Sequence, residues 1–204
     1  FSNMLPDIED RKEMREYADI IETNTDLLLQ LINDILDMSK IEAGTFDFCP
    51  SLIDVNQTME EIEQSMRLRL KKETVTLTFT ERLPECTLYT DKNRLIQLIS
   101  NFVINAIKFT QTGSIRMGYR LKDADTICFY VSDTGCGIPK DELDNIFARF
   151  VQLSDFEQGI GLGLAICKGL VLKMGGNISV MSEEGFGSTF IFTLPMKRPN
   201  SWKN

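Results

Sequence analysis

Residues 90–110, TDKNRLIQLISNFVINAIKFT, are the stretch around which the rest of the chain is organised. Asp91 is a suitable N-cap and Gly113 follows soon after the last apolar residue, so the stretch predicts one helix. Apolar side chains recur along it at helical spacing and predict a buried face, made by Leu95, Ile99, Phe102 and Ala106.

The same helix carries a second, polar stripe, made by Gln97, Asn101, Asn105 and Lys108. Amides in so apolar a helix are costly unless something hydrogen-bonds them. An amide oxygen is a hard ligand that suits magnesium, and a lysine at the next turn suits phosphate. The alternative is a solvated helix face, and the helix alone leaves both interpretations open.

Three glycine-containing motifs follow in the second half of the chain. Asp133-Thr-Gly-Cys-Gly-Ile-Pro139 comes directly after a strand-like run, and Gly159-Ile-Gly-Leu-Gly-Leu164 opens another helix. The third motif is Gly185-Phe-Gly-Ser-Thr-Phe190. Taken alone, the first motif is typical of a tight turn.

Together and in this order, these motifs resemble the ATP-binding domain of sensor histidine kinases, within the Bergerat-fold ATPase superfamily. The resemblance covers residues 9–195, with typical separations between the motifs. It implies that the chain binds ATP and Mg²⁺.

The resemblance gives Asp133 the role of recognising adenine. A carboxylate there accepts the exocyclic amino proton, while Gly135 and Gly137 let the backbone approach the ring. Such a charged hydrogen bond contributes about 1.5–3 kcal/mol, which favours ATP over GTP by roughly tenfold to a hundredfold. Thr189 has the position from which the family supplies a hydroxyl beside the adenine.

The resemblance implies a phosphate-binding role for the second motif. Gly159, Gly161, Leu162 and Gly163 precede or begin a helix, where free backbone N–H groups and the positive end of the dipole favour phosphate. Relatives usually have a small hydroxyl residue where this chain has Ile160. The departure affects a side-chain contact and leaves the backbone cradle in place.

Residues 143–158 resemble the mobile lid that covers the nucleotide in this family. Arg149 lies between Phe147 and Phe150 and is the lid's candidate contact for the γ-phosphate. The alternative is an ordinary surface arginine.

The resemblance makes Asn105 the Mg²⁺ ligand, with Asn101 in support and Lys108 contacting phosphate. In hydrolysing relatives, a glutamate four residues before the metal asparagine activates water. That position is Asn101 here, and an amide cannot act as a base at neutral pH. The pattern therefore favours transfer of the phosphoryl group to an external acceptor, and no catalytic residue is assigned within this chain.

An apolar seam runs through the first part of the chain. Its members alternate spacings of three and four and predict a helix with a helical partner: Met14, Tyr17, Ile21, Asn24, Leu28, Leu31, Ile35 and Met38. The alternative is an amphipathic helix packed on its own domain. Residues 36–44 resemble the end of the second dimerisation helix of the family, with Gly44 as its C-cap.

The family places its phosphoacceptor histidine before this helix, whereas the chain has no histidine. We expect a fragment that begins just after the acceptor motif. The alternative is a degenerate member that never had one.

The predicted fold class is α+β. The sequence favours a two-layer α/β sandwich, with a mixed sheet and three helices on one face, preceded by one long helix of a truncated helical hairpin. We predict three segments: residues 1–44 as the remnant of the dimerisation hairpin, 45–197 as the ATP-binding domain and 198–204 as a tail.

Composition narrows the function classes. A net charge of −8 argues against non-specific nucleic-acid binding, and the chain lacks an apolar run of membrane-spanning length. Five scattered cysteines without histidine make a zinc site very unfavourable and are typical of reduced thiols in the cytoplasm. The resemblance is compatible with a parent protein anchored at the bacterial inner membrane.

The sequence thus predicts the catalytic part of a two-component sensor histidine kinase, with a response-regulator receiver domain and a second copy of the parent as partners. The rival interpretations are a Bergerat-fold ATPase or serine kinase, and a nucleotide-sensing pseudokinase that only docks partners.

Overall fold

The computed structural model describes residues 11–151 and 161–197. Within them the chain forms four helices and seven strands. In chain order these are α1 (Arg11–Ala43), β1 (Ser51–Asp54), α2 (Val55–Arg69), β2 (Val75–Glu81), β3 (Thr87–Thr90), α3 (Lys92–Phe109), β4 (Gly113–Asp123), β5 (Thr126–Asp133), α4 (Gly163–Lys173), β6 (Asn177–Glu183) and β7 (Gly187–Pro195).

Five of the strands form one mixed sheet in the order β2-β4-β5-β7-β6. Strands β2 and β4 are parallel and the other neighbours are antiparallel. Helices α2, α3 and α4 contact this sheet. The predicted α+β class, with a mixed sheet and three helices packed on it, is confirmed.

The core lies between α3 and the middle of the sheet. Phe102 of α3 stacks on Phe190 at 5.3 Å between ring centroids, and Phe129 stacks on Phe192 at 5.0 Å. Such aromatic pairs contribute about 0.5–1.5 kcal/mol each beyond the area they bury. The predicted apolar face of α3 is fully inside, because Leu95, Ile99, Phe102 and Ala106 are all buried.

Side chains cap both ends of α3. The Asp91 carboxylate accepts hydrogen bonds from the backbone N–H groups of Asn93 and Arg94, as the sequence predicts for an N-cap. At the other end, Lys72 Nζ donates to the carbonyls of Ile107 and Thr110. A cation on these unpaired carbonyls also complements the helix dipole.

Helix α1 packs on α4 through its C-terminal part. Ile41 lies against Gly169 of α4 so closely that a Cβ at position 169 would approach the Ile41 side chain to 2.8 Å. Gly44 ends α1 with a positive φ of 69°, so the predicted C-cap is confirmed. Along the preceding turns, apolar side chains of the described part remain exposed, among them Leu28 and Ile35 of the predicted seam.

The structure differs from the sequence-based expectation at two places. The sequence predicts a short helix over residues 139–147, whereas the chain there forms successive turns closed mainly by bonds between residues three apart, as from Glu142 N to Pro139 O. So short a segment cannot offset the cost of nucleating a helix. The antiparallel pair of β1 and β3 was not predicted, because four-residue strands are too short to show an alternating pattern.

The seam residue Asn24 donates to the Ile20 carbonyl within its own helix. Residues 1–10 and the predicted tail, 198–204, lie outside the described residues. The division into segments 1–44, 45–197 and 198–204 stays a prediction.

Candidate functional site

Asp133 ends the central strand β5 and is buried, with 8% of its surface exposed. Its Oδ1 atom accepts hydrogen bonds from Gly135 N at 2.8 Å and Ser188 N at 3.3 Å. Burial raises the pKa of the carboxyl above the ordinary aspartate value, and the two backbone donors partly oppose that rise. The other oxygen, Oδ2, accepts no hydrogen bond from any residue in the described part of the chain, so it is available to a ligand.

The loop after Asp133 is fastened to the turn between β6 and β7. Gly185 N donates to Cys136 O at 2.7 Å, and Ile138 N donates to the Ser182 hydroxyl at 2.8 Å. Gly137 has a φ of 69° and approaches the turn so closely that a Cβ there would lie 2.0 Å from Glu183 O. A glycine is therefore required at position 137, and the loop has little freedom to move away from the turn.

Thr189 follows Ser188, whose backbone N–H donates to the Asp133 carboxylate. It pairs with Ser132 in the register of β5 and β7, and the two hydroxyl oxygens are 2.9 Å apart. Because successive side chains of a strand point to opposite faces, the Ser132 and Thr189 hydroxyls lie on the face of the sheet opposite to Asp133 and Ser188. The predicted role of Thr189 beside the adenine therefore stays a prediction.

The polar stripe of α3 divides along the helix. Gln97, near its start, donates to Asp37 of α1 at 2.9 Å. One turn later Asn101 donates to the buried Cys167 Sγ of α4 at 3.5 Å. Lys108 Nζ lies 4.9 Å from the centre of the Phe109 ring. The amide of Asn105, by contrast, forms no side-chain hydrogen bond with any residue that the structure describes.

Helix α4 begins without a side-chain cap. Its N-cap residue, Leu162, is buried and makes no capping hydrogen bond, and Gly163 has open space around its Cα. The first N–H groups of a helix are unsatisfied unless a cap or a ligand accepts them, so this end can bind an anion. Gly161 has a φ of 72°, which only glycine adopts easily. The predicted residue Gly159 lies outside the described residues.

Residues 143–151, the described part of the predicted lid, are anchored at two points. Phe147 makes an edge contact with Phe190 of β7 at 6.4 Å between ring centroids. Phe150 N donates to Gly161 O at 3.0 Å. Arg149 forms an ion pair with Glu42 of α1, and both side chains are about half exposed. The structure thus places Arg149 at α1; its proposed contact with phosphate stays a prediction.

Contacts connect the predicted segments around the C-terminal half of α3. Cys136 N donates to Phe109 O at 3.3 Å, which joins the Asp133 loop to the end of the helix. Asn101 joins the helix to α4 through Cys167. The described part of the lid reaches both β7 and Gly161. Asn105 therefore lies on a stretch of α3 that is bordered by the Asp133 loop and by α4.

An open cleft of about 570 Å³ lies elsewhere, at the start of α2 and beside β2. Its lining contains none of the predicted site residues: Asp54, Asn56, Gln57, Glu60, Arg82, Leu83 and Pro84. Polar groups within it already have partners, since Glu60 pairs with Arg82 and Asn56 donates to Leu83 O. We therefore assign no binding role to this cleft.

No set of three histidine, cysteine, aspartate or glutamate side chains within residues 11–151 and 161–197 is arranged to hold a metal ion. A metal at this site would depend on the amide oxygen of Asn105, together with water and the ligand's own oxygens. Mg²⁺ is commonly bound in this way, with one or two protein ligands beside phosphate oxygens.

Sequence reasoning missed Ser182 and Ser188, which hold the Asp133 loop and its carboxylate in place. Ser182 lies at the end of an ordinary edge strand, and no motif or periodicity distinguishes it. Only the hydrogen bonds across the turn reveal its contact with the loop.

Two family models match the chain. Residues 90–198 match the model described as histidine kinase-, DNA gyrase B- and HSP90-like ATPase. Residues 1–44 match the model described as the His Kinase A (phospho-acceptor) domain.

Among curated proteins, the aerobic respiration control sensor protein ArcB of Escherichia coli (strain K12) is 35% identical over 95% of this chain and 26% of its own length. The autoinducer 2 sensor kinase/phosphatase LuxQ of Vibrio harveyi is 36% identical over 96% of this chain and 24% of its own length. The chain thus spans about a quarter of the length of these relatives.

Among solved structures, full-length ShkA in complex with AMPPNP superimposes with a TM-score of 0.81 and 31% identity, over 96% of this chain and 42% of that one. The likeness includes α1 as well as the sandwich, because it extends over nearly the whole chain. None of the helices in the described residues is long and apolar enough to cross a membrane.

Proposed function

The chain belongs to the family of histidine kinase-, DNA gyrase B- and HSP90-like ATPases and, within it, to the sensor histidine kinases, and we propose that it binds Mg-ATP and transfers the γ-phosphoryl group to a histidine outside this chain. The observation that carries the proposal is the buried Asp133 carboxylate. One of its oxygens is held by two backbone N–H groups, and the other accepts no hydrogen bond from the residues that the structure describes. A carboxylate prepared in this way can accept the amino proton of adenine, which guanine does not offer at that position.

Phosphate is assigned to the start of α4 and the metal to the C-terminal part of α3, which contacts the Asp133 loop. The uncapped start of α4, with Gly161, Leu162 and Gly163, is suited to the phosphates. Asn105 is the residue proposed to hold Mg²⁺, and Lys108 lies one turn further along α3. The ion, when bound, neutralises phosphate charge. Positioning and neutralisation are what phosphoryl transfer chiefly requires.

Asn101 is the residue that favours phosphoryl transfer over ATP hydrolysis in this proposal. An amide cannot remove a proton from water at neutral pH, and its N–H group already donates to Cys167. The attacking group is therefore the acceptor's imidazole nitrogen. The new P–N bond replaces the bond from the γ-phosphorus to the β–γ bridging oxygen, and that oxygen leaves with ADP.

The same reasoning supports two kinds of partner. The exposed apolar residues of α1, such as Leu28 and Ile35, are suited to other helices of a dimeric bundle. The phosphohistidine would in turn supply a response-regulator aspartate. The proposal places the chain in the cytoplasm, where ATP is available.

The test supplies a histidine-containing hairpin domain in trans, together with ATP labelled at the γ-position. We expect label in acid-labile phosphohistidine, and no label with the Asp133→Ala or Asn105→Ala variants. Release of free phosphate without a phosphoprotein would instead support an ATPase, and label stable to acid a serine kinase. ATP binding with neither product would support a nucleotide-sensing module.

A further inference from the structure

The Ser182 hydroxyl occupies the junction between the Asp133 loop and the turn that follows β6. It accepts a hydrogen bond from Ile138 N at 2.8 Å and lies 2.8 Å from Gly187 O, to which it donates. The Ser188 hydroxyl lies 2.9 Å away and can donate to it. One donor and two acceptor positions are all that a serine hydroxyl has, so this group is fully used.

The hydrogen bonds of Ser182 connect to both backbone N–H groups that donate to the Asp133 carboxylate. Gly187 has a φ of 112°, and a Cβ there would lie 2.1 Å from Asp133 O, so its backbone rests directly on that of Asp133. The next residue supplies Ser188 N, one of the two donors to Asp133 Oδ1. The other donor, Gly135 N, belongs to the loop that Ser182 holds through Ile138.

We propose that Ser182 is a positioning residue for base recognition: its hydroxyl fixes the two backbone donors that orient the Asp133 carboxylate and so directs Oδ2 to the adenine amino group. This inference rests on the proposed ATP-binding function. Ser182 itself touches no nucleotide. Its removal lets the loop and the turn move relative to each other, so that the carboxylate samples orientations in which the bond to the base is lost.

The test measures the dissociation constants of ATP and GTP for the wild-type protein, Ser182→Ala and Ser182→Thr. Because a typical hydrogen bond contributes roughly fivefold to tenfold in an equilibrium constant, we expect Ser182→Ala to lower the preference for ATP over GTP by that factor. GTP affinity should be unchanged, since it does not depend on Oδ2. Ser182→Thr keeps a hydroxyl and should restore the preference.

Ser179→Ala is the matched control, because Ser179 is an exposed serine on the same strand. It should leave both affinities unchanged. If Ser182→Ala does not fold, Ser182→Cys replaces it; the weaker hydrogen bonding of a thiol should give an intermediate loss of preference.

If Ser182 were only structural, Ser182→Ala would lower the melting temperature and leave the preference of the folded protein for ATP over GTP unchanged. That result would overturn this inference and leave the proposed function in place. Wild-type protein that binds ATP no better than GTP would overturn the proposed role of Asp133 as well. The two failures are therefore distinguishable.

Discussion

The two halves of α3 carry the same kind of polar residue on the same stripe, yet they face different neighbours. In the first half, Gln97 and Arg94 both donate to Asp37 of α1, and Arg94 also lies over the Phe46 ring at 4.4 Å. In the second half, Asn105 has no such partner within the described residues and lies one turn before Phe109, whose carbonyl accepts a hydrogen bond from Cys136 of the Asp133 loop. The first half therefore holds α1, and the second half contains Asn105, the residue proposed to hold the metal.

The largest effect should come from the second half. We expect Asn105→Ala and Asp133→Ala each to weaken Mg-ATP binding roughly tenfold to a hundredfold, because each removes a charged or metal-linked contact. Gln97→Ala, two turns earlier on the same stripe, should bind Mg-ATP as the wild type does. Calorimetric titration gives the affinities, and circular dichroism checks that each variant is folded.

If Gln97→Ala lost ATP binding as severely as Asn105→Ala, the stripe would be a single site and the comparison would fail. Unchanged affinity in Asn105→Ala would remove that residue from the site.

The sequence predicted the helix and its buried face because periodicity reports which side of a helix is apolar. Through a family resemblance it also assigned Asp133 and Thr189 to one site, and that assignment stays a prediction. It could not divide the polar stripe, since the partner of Gln97 lies on a helix about 60 residues away, in contacts that no local pattern encodes. The positions of Ser182 and Arg149 depend on tertiary contacts in the same way.

The next effect concerns the first half of α3. Asp37→Ala should release the C-terminal part of α1, because it leaves Arg94 and Gln97 without their shared acceptor in a partly buried contact. A loss of about 1–3 kcal/mol in the docking free energy is expected. Energy transfer between fluorophores on α1 and β6 should fall, while Mg-ATP affinity stays the same.

Glu22→Ala changes an exposed acidic residue on the same helix and serves as the control. Unchanged energy transfer in Asp37→Ala would show that Ile41 against Gly169 suffices to hold α1.

Acidification should strengthen the docking of α1 and weaken the binding of ATP. Burial, and then the charge of Asp37, raise the pKa of Asp34 on α1 to about 6. Burial also raises the pKa of Asp133 above its ordinary value. The docking of α1 therefore becomes more stable as pH falls through 6 towards the ordinary aspartate pKa. This added stability is lost as pH rises through 6. ATP binding weakens on acidification, because a protonated Asp133 accepts fewer hydrogen bonds.

Between pH 7.5 and 5, the equilibrium constant for docking of α1, followed by energy transfer, should rise by up to roughly tenfold. Asp34→Asn should flatten this response and leave the pH dependence of ATP binding in place. A docking equilibrium that weakens on acidification in the wild type would contradict the assignment.

The smallest effect tests whether the two halves communicate through Arg149, which pairs with Glu42 of α1. A half-exposed ion pair contributes only about 0.2–1 kcal/mol, so Glu42→Gln should free Arg149 at little cost to docking. If Arg149 also reaches the γ-phosphate, its release should tighten ATP binding by no more than about fivefold and leave ADP binding unchanged. Equal affinities of wild type and Glu42→Gln for ATP would make Arg149 an ordinary surface arginine, and an equal gain for ADP would show that the effect does not involve the γ-phosphate.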